Sequence, residues 1–289
     1  MATRAPDRGR YVTCPAGGDD RLDRVLAALL PDTSRGAARR LIADGRVFVD
    51  GRRCRVASRP VRAGNVLHVA PVAAAAPVAT AAAPPILYED DDVIAIDKPC
   101  DMASAPTRTA AAGTAHDAVL ETLRARKRGP ARLWVVHRLD VGTSGVLVFA
   151  RTREAAAALS GAFAEGRVEK EYLARVACAP AVLHGTIDLP LATEGRRARV
   201  DPKGRSARTD WQIVTTDERG TLLRLHPRTG RMHQLRAHLH AIGHPIVGDR
   251  AYGGPPSTRL MLHAERLVIP HPRTGTRVTI EAPLPNQFE

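Results

Sequence analysis

Aromatic residues are scarce, at 3% of a 289-residue chain, so a core has to rest on Val, Leu, Ile and Ala. The four cysteines, Cys14, Cys54, Cys100 and Cys178, form no CxxC pair. That spacing argues against a zinc ribbon or a disulfide framework, and suits reduced thiols in a cytoplasmic protein. No run of about 18 apolar residues reads as a membrane span. Met1 to Tyr11 lacks the apolar stretch of a secretory signal. No glycine fingerprint for a nucleotide cofactor is present. His226, His233, His238, His240 and His244 are numerous, but His238 and His240 stand two apart, on different faces of a helix. No metal and no cofactor is expected.

What the chain has is positive charge. Lys and Arg number 43 against 30 Asp and Glu, a net +13. Within residues 1–70 there are 14 Arg and 7 Asp and neither Lys nor Glu. Basic side chains displace the counterions condensed on a phosphate backbone, so a nucleic-acid partner is the first implication.

Residues 1–18 are polar and read as a disordered tail. Leu22, Val25, Leu26, Leu29 and Leu30 repeat at helical spacing. Ser34 looks like the N-cap of a second helix over 35–43, and Gly45 like its stop. Val47 and Val49 before Asp50-Gly51 give a hairpin signal, and Val66 to Val69 a closing strand. These features place a small α/β module over 19–70. The second helix exposes Arg35, Arg39 and Arg40, a compact cationic stripe. Residues 71–85 form an Ala/Pro linker. Over 86–289, short apolar strands outnumber helices and follow one another in hairpin fashion. The spacing predicts strands at Leu133–Val136, Val146–Phe149, Tyr172–Val176, Trp211–Val214 and Leu222–Leu225, and helices at Ala155–Ala164 and Gln234–Ile242. The fold class expected is α+β, with a large, mostly antiparallel mixed sheet and flanking helices.

Three segments could carry chemistry. His137-Arg138-Leu139-Asp140-Val141-Gly142-Thr143 is a polar loop between apolar strands, which sets the Asp140 carboxylate at a sheet edge with cationic neighbours. Thr229-Gly230-Arg231-Met232-His233-Gln234-Leu235-Arg236 runs from loop into helix, and Arg231 there could clamp a carboxylate or a phosphate. Lys170 to Val176 is a strand on which Tyr172 matters if its ring faces Asp140. Read singly, each has a plain alternative: a turn aspartate, a surface ion pair, a core tyrosine.

Together and in this order the three segments resemble the RluA-type pseudouridine synthase family. So do Tyr88-Glu89-Asp90, Asp97-Lys98-Pro99, Gly243-His244-Pro245-Ile246-Val247-Gly248-Asp249 and Leu262-His263-Ala264. The module over 19–70 resembles the RNA-binding domain named after ribosomal protein S-four, through Arg21-Leu22-Asp23, Ser34-Arg35, Gly45 and Gly51. The resemblance implies an isomerase that turns uridine in structured RNA into pseudouridine without a cofactor. It makes Asp140 the catalytic carboxylate and Arg231 its ion-pair partner. Tyr172 becomes the platform under the uracil, Arg138 the wedge that replaces the flipped base, and Leu235 an apolar packing residue. His137, Arg35, Arg39 and Arg40 join Arg138 as candidate RNA contacts. Asp140 would act either as a nucleophile on the ribose or as a base on the sugar. Large-subunit ribosomal RNA is the favoured substrate, with transfer RNA as the alternative. A non-catalytic RNA-binding or assembly factor is the competing class, and an aspartic hydrolase is excluded because no second paired aspartate exists. A monomer is expected. Cys100 to Thr114 departs from the family pattern, which bears on substrate choice.

Overall fold

The computed structural model describes residues 10–15, 19–31, 33–54, 56–70, 83–106, 113–126 and 132–288. It divides into two compact units, Met1–Thr80 and Ala81–Glu289. The division falls within the Ala/Pro stretch, most of which lies outside the described residues.

The N-terminal unit contains β1 (Arg10–Thr13), β2 (Asp20–Arg21), α1 (Leu22–Leu29), α2 (Arg35–Ala43), β3 (Val47–Val49), β4 (Arg52–Cys54), β5 (Pro60–Val61) and β6 (Val66–Val69). The sheet order is β1-β6-β3-β4. The Ser34 hydroxyl accepts a hydrogen bond from Ala37 N at 3.2 Å, the N-cap its sequence position implies. Leu22, Leu26, Ala38 and Ile42 bury one face of the helix pair against Val47, Val49 and Leu67. The expectation of a disordered tail over 1–18 is corrected for Arg10–Thr13. Those residues pair antiparallel with β6, and Cys14 enters the core. A polar strand is hard to recognise until its partner supplies the hydrogen bonds. Residues 1–9 and 16–18 lie outside the described residues.

The second unit runs β7 (Ile86–Glu89), β8 (Val93–Lys98), α3 (Ala115–Ala125), β9 (Trp134–Val135), β10 (Ser144–Ala150), α4 (Arg153–Ala164), β11 (Glu169–Val176), β12 (His184–Asp188), β13 (Leu191–Glu194), β14 (Arg197–Val200), β15 (Arg208–Asp217), β16 (Gly220–Pro227), α5 (Gln234–Ala241), β17 (Leu262–Pro270) and β18 (Arg277–Glu281). The main sheet has the order β12-β15-β16-β11-β17-β10-β8-β7, with β18 on β17 and β9 on β10. All its pairings are antiparallel except β10 with β17. The class is α+β. The strand expected at Leu133–Val136 shrinks to Trp134–Val135, with Val135 exposed. By contrast β10 is buried along its whole length, because both faces are covered, by α3 residues in one cluster and α4 residues in another.

The parallel β10–β17 contact is short, covering Ser144 with His263 and Gly145 with Ala264. It forces glycine at 145. There φ is +107°, and a Cβ would drive into the Ala264 carbonyl. This crossing fixes where the loop before β10 emerges, and that loop carries Asp140.

Candidate active site

Asp140 is held by its neighbours on both sides. Leu139 N donates to Ser104 Oγ at 3.0 Å, and Ser104 Oγ donates to Leu139 O at 2.8 Å. On the other side, Lys98 Nζ donates to Val141 O at 3.1 Å, and also to Pro99 O and Met102 O. Lys98 is fully buried, and that burial pushes its amine down to about 8. Thr143 N closes the turn onto Asp140 O at 3.1 Å. The carboxylate sits at the end of a loop whose backbone is pinned at residues 139, 141 and 143.

The guanidinium that meets Asp140 belongs to Arg236. Its Nη1 lies 3.1 Å from Asp140 Oδ2, while Nε and Nη2 fork onto Asp249 at 2.7 and 2.8 Å. Asp249 is buried and also accepts from Ala251 N and Tyr252 N. Burial alone would lower the Arg236 pKa, but the two carboxylates outweigh it and raise it further. The expected Arg231–Asp140 pair is therefore corrected. Arg231 Nε donates to Ser206 O at 3.0 Å, and its charge acts on Lys170, whose amine burial already depresses. The physical reason lies at His233, which adopts the left-handed conformation with φ 51°. Arg231 precedes that turn, whereas Arg236 follows it in the first turn of α5.

His233 is itself part of the site. Its Nε2 is 3.8 Å from Asp140 Oδ2, and its Nδ1 is 3.1 Å from Tyr252 Oη. Tyr252 accepts from Ala198 N and donates to Ala198 O. With the phenol proton committed to that carbonyl, Nδ1 is the protonated nitrogen and Nε2 is the one facing Asp140. Burial lowers the His233 pKa against the pull of Asp140, favouring the neutral ring. A left-handed residue other than glycine costs on the order of 1 kcal/mol or more, and such residues gather where a site needs them.

Tyr172 lies on β11, paired to Leu225 and Ala264, beside an irregularity in register. Burial raises its phenol pKa, and the Asp140 charge raises it further, so the hydroxyl stays protonated at neutral pH. Leu235 is buried with Leu239 in the core beneath α5. Arg138 is exposed, one residue before the pinned Leu139.

His137 is corrected from RNA contact to structural support. Its Nε2 accepts from Val148 N at 2.9 Å, and its ring stacks on Phe163 with centroids 4.7 Å apart. Burial, reinforced by Lys170, pushes its pKa down to about 3, so it carries no charge for a phosphate. Asp90, Asp92 and His271 bring ligand-type atoms within 4.8 Å of one another. Those atoms are engaged: Asp90 by Tyr88, Val93 and His271, and Asp92 by Arg273.

On the N-terminal unit Arg35, Arg39 and Arg40 are exposed, as the helix spacing implies. Arg35 and Arg39 both bond Asp23.

The arrangement is a half-buried carboxylate on a pinned loop, held by one guanidinium from a helix that forks onto a second, buried carboxylate, near a half-buried tyrosine. The description of RNA pseudouridylate synthases matches residues 92–241, and that of the S4 domain matches residues 20–67. The chain belongs to the RNA pseudouridylate synthase family. Among its relatives, an RNA pseudouridine synthase of Chloroflexus aurantiacus is 39% identical over 288 residues, 96% of this chain and 90% of that one. Ribosomal large subunit pseudouridine synthase D of Pasteurella multocida is 35% identical, over 93% and 89% of the two chains. Dual-specificity RNA pseudouridine synthase RluA of Escherichia coli is 38% identical over 208 residues, 68% of this chain and 92% of that one. Of solved structures, human RNA pseudouridylate synthase domain containing 1 superposes with a TM-score of 0.59 at 28% identity, covering 70% of this chain and 84% of that one. The synthase is thus an RNA-modifying isomerase with an added RNA-binding domain. Among its described residues, no helix is long and apolar enough to cross a membrane.

Proposed function

We propose that the synthase isomerises uridines in ribosomal RNA, with Asp140 as the catalytic carboxylate. The observation that carries the assignment is the Arg236 fork, which anchors to buried Asp249 and spends its remaining Nη on Asp140. Arg236 Nη1 donates to Oδ2, while the neutral His233 ring lies 3.8 Å from the same oxygen without donating to it. One oxygen is thereby anchored, and the other is the one presented to a ribose. The bond from ribose to N1 of uracil must break and the base must rejoin through C5. The C5 proton then leaves, and N1 ends protonated. No other atom is exchanged, so the work is positioning and charge stabilisation.

The target uridine has to leave its stack, which costs a few kcal/mol and least in loops. Exposed Arg138 fills the vacated space. Tyr172, held neutral, serves as a stacking surface contributing roughly 1–3 kcal/mol. The ribosomal preference is supported by relatives whose names specify the large ribosomal subunit and by the presence of the S4 domain. Transfer RNA is the second substrate class, favoured by the dual-specificity name of another relative. The test is chemical mapping of pseudouridine in ribosomal and transfer RNA from cells with and without the gene. Sites that vanish should return with wild type and not with Asp140→Asn. An Asp140→Asn protein that restores them overturns the assignment.

A further inference from the structure

The N-terminal unit contains a buried carboxylate that the catalytic reading leaves unused. Asp23, in the first turn of α1, is 0% exposed. Its Oδ1 accepts from Arg21 Nε at 3.1 Å, and its Oδ2 from Arg35 Nε at 3.0 Å and Arg39 Nε at 2.8 Å. The contact is made through Nε in all three cases. Nε lies at the stem of the guanidinium, so the Nη pair at its far end can still fork end-on onto an oxyanion. The three side chains remain 40%, 45% and 51% exposed while their shared partner is shut off from water. One negative charge therefore collects three positive ones, and the cluster presents a net positive face.

We propose that Asp23 assembles Arg21, Arg35 and Arg39 into one cradle for a phosphodiester group of structured RNA. Arg35 and Arg39 stand one helical turn apart on α2, so they share a face. Arg21 reaches the same carboxylate from the residue before α1. A free arginine loses rotamer freedom when it grips a phosphate. Here that freedom is already surrendered to Asp23, so less is lost on binding. The cations would otherwise repel one another, and the buried charge between them is what allows the grouping. Burial alone would raise the Asp23 pKa, but the hydrogen bonds from Arg21, Arg39 and Arg35 outweigh it and hold the carboxyl well below the usual range, so it stays charged.

The proposal rests on the RNA-binding reading of this unit, and it makes a prediction of opposite sign to simple charge counting. Asp23→Asn removes a negative charge from a cationic face, which by Coulomb attraction alone should tighten RNA binding. The cradle requires it to weaken. The experiment measures affinity of the full chain for a substrate RNA stem-loop over a range of salt, with folding checked by hydrogen exchange. Expected for Asp23→Asn is roughly tenfold weaker binding, a salt slope reduced by about one contact or more, and a loss that reads out in KM rather than kcat. Unchanged or tighter binding overturns the proposal. If Asp23→Asn does not fold, Arg35→Lys and Arg39→Lys keep the charge and lose the fork. Each should weaken binding nearly as far as alanine does, and wild-type affinity in both overturns the cradle. The triple alanine variant of Arg21, Arg35 and Arg39 separates the two levels. Full RNA affinity in that variant removes the RNA reading of this face. Weakened affinity there, with Asp23→Asn unaffected, removes only the role of Asp23.

Discussion

Arg236→Lys should cripple turnover while Arg231→Lys does not. Arg236 makes three charge-assisted contacts, two to Asp249 and one to Asp140. Lysine keeps the charge, but its single ammonium cannot reproduce the fork and the third bond together. Losing one hydrogen bond between charged groups costs about 1.5–3 kcal/mol. Expressed in the transition state, that is a fall of about 10- to 150-fold in rate. Stability should suffer less with lysine than with alanine, since an ammonium still supplies a cation beside buried Asp249. Alanine leaves a buried carboxylate without its cation, at about 3–5 kcal/mol. Arg231, whose Nε bonds a backbone carbonyl, should tolerate lysine within about 0.5 kcal/mol. The assay is single-turnover release of tritium from C5-labelled uridine in RNA, because C5 loses its hydrogen as it becomes the glycosidic carbon. Wild-type turnover by Arg236→Lys, with a tenfold or greater loss in Arg231→Lys, would refute the assignment of the fork.

His137→Phe keeps the stack on Phe163 but removes the acceptor of Val148 N. Thermal or denaturant unfolding should show a loss of about 1–3 kcal/mol, with RNA affinity unchanged. Tyr172→Phe should retain substrate affinity, and Tyr172→Ala should lose roughly 1–3 kcal/mol of it, measured by equilibrium binding to a catalytically blocked background. A phenol raised above its ordinary value contributes no ionisation near neutrality, so the rate profile around pH 7 should keep the same shape in wild type and in Tyr172→Phe, apart from scale. For Asp23 the folded pKa is depressed below its ordinary 3.8, so its stabilisation is complete above that value and is lost as pH falls. Hydrogen-exchange protection factors in residues 20–67, corrected for the intrinsic rate at each pH, should fall on acidification, and Asp23→Asn should flatten that dependence.

Much of the fold could be read where local chemistry decides it. Ser34 caps α2, and apolar spacing marks α4 and α5. The interior strands, chiefly β10, announce themselves as unbroken apolar runs. The strands β12 and β14 are polar and largely exposed, so their pairing rather than their composition defines them. The same holds for β1. In the site, Asp140, Tyr172 and Leu235 sit in segments that sequence order could single out. The choice of Arg236 over Arg231 turns on one left-handed residue, His233, which no periodicity reveals. Lys98 and Ser104 act on the Asp140 loop across 43 and 35 residues. Asp249 lies in a recognisable motif, but its task becomes visible only once α5 is placed against it.

The pinning of the Asp140 loop also dictates an order of events. Its ties come from Lys98, Ser104, Arg236 and, through Gly145, Ala264. The cradle around Asp23 closes among residues 21–39. A chain emerging from the ribosome at about 5–20 residues per second therefore has the residues of its RNA grip many seconds before those of its chemistry. During that interval the nascent protein could engage RNA without altering it, and modification would begin only after the last central strand is in place.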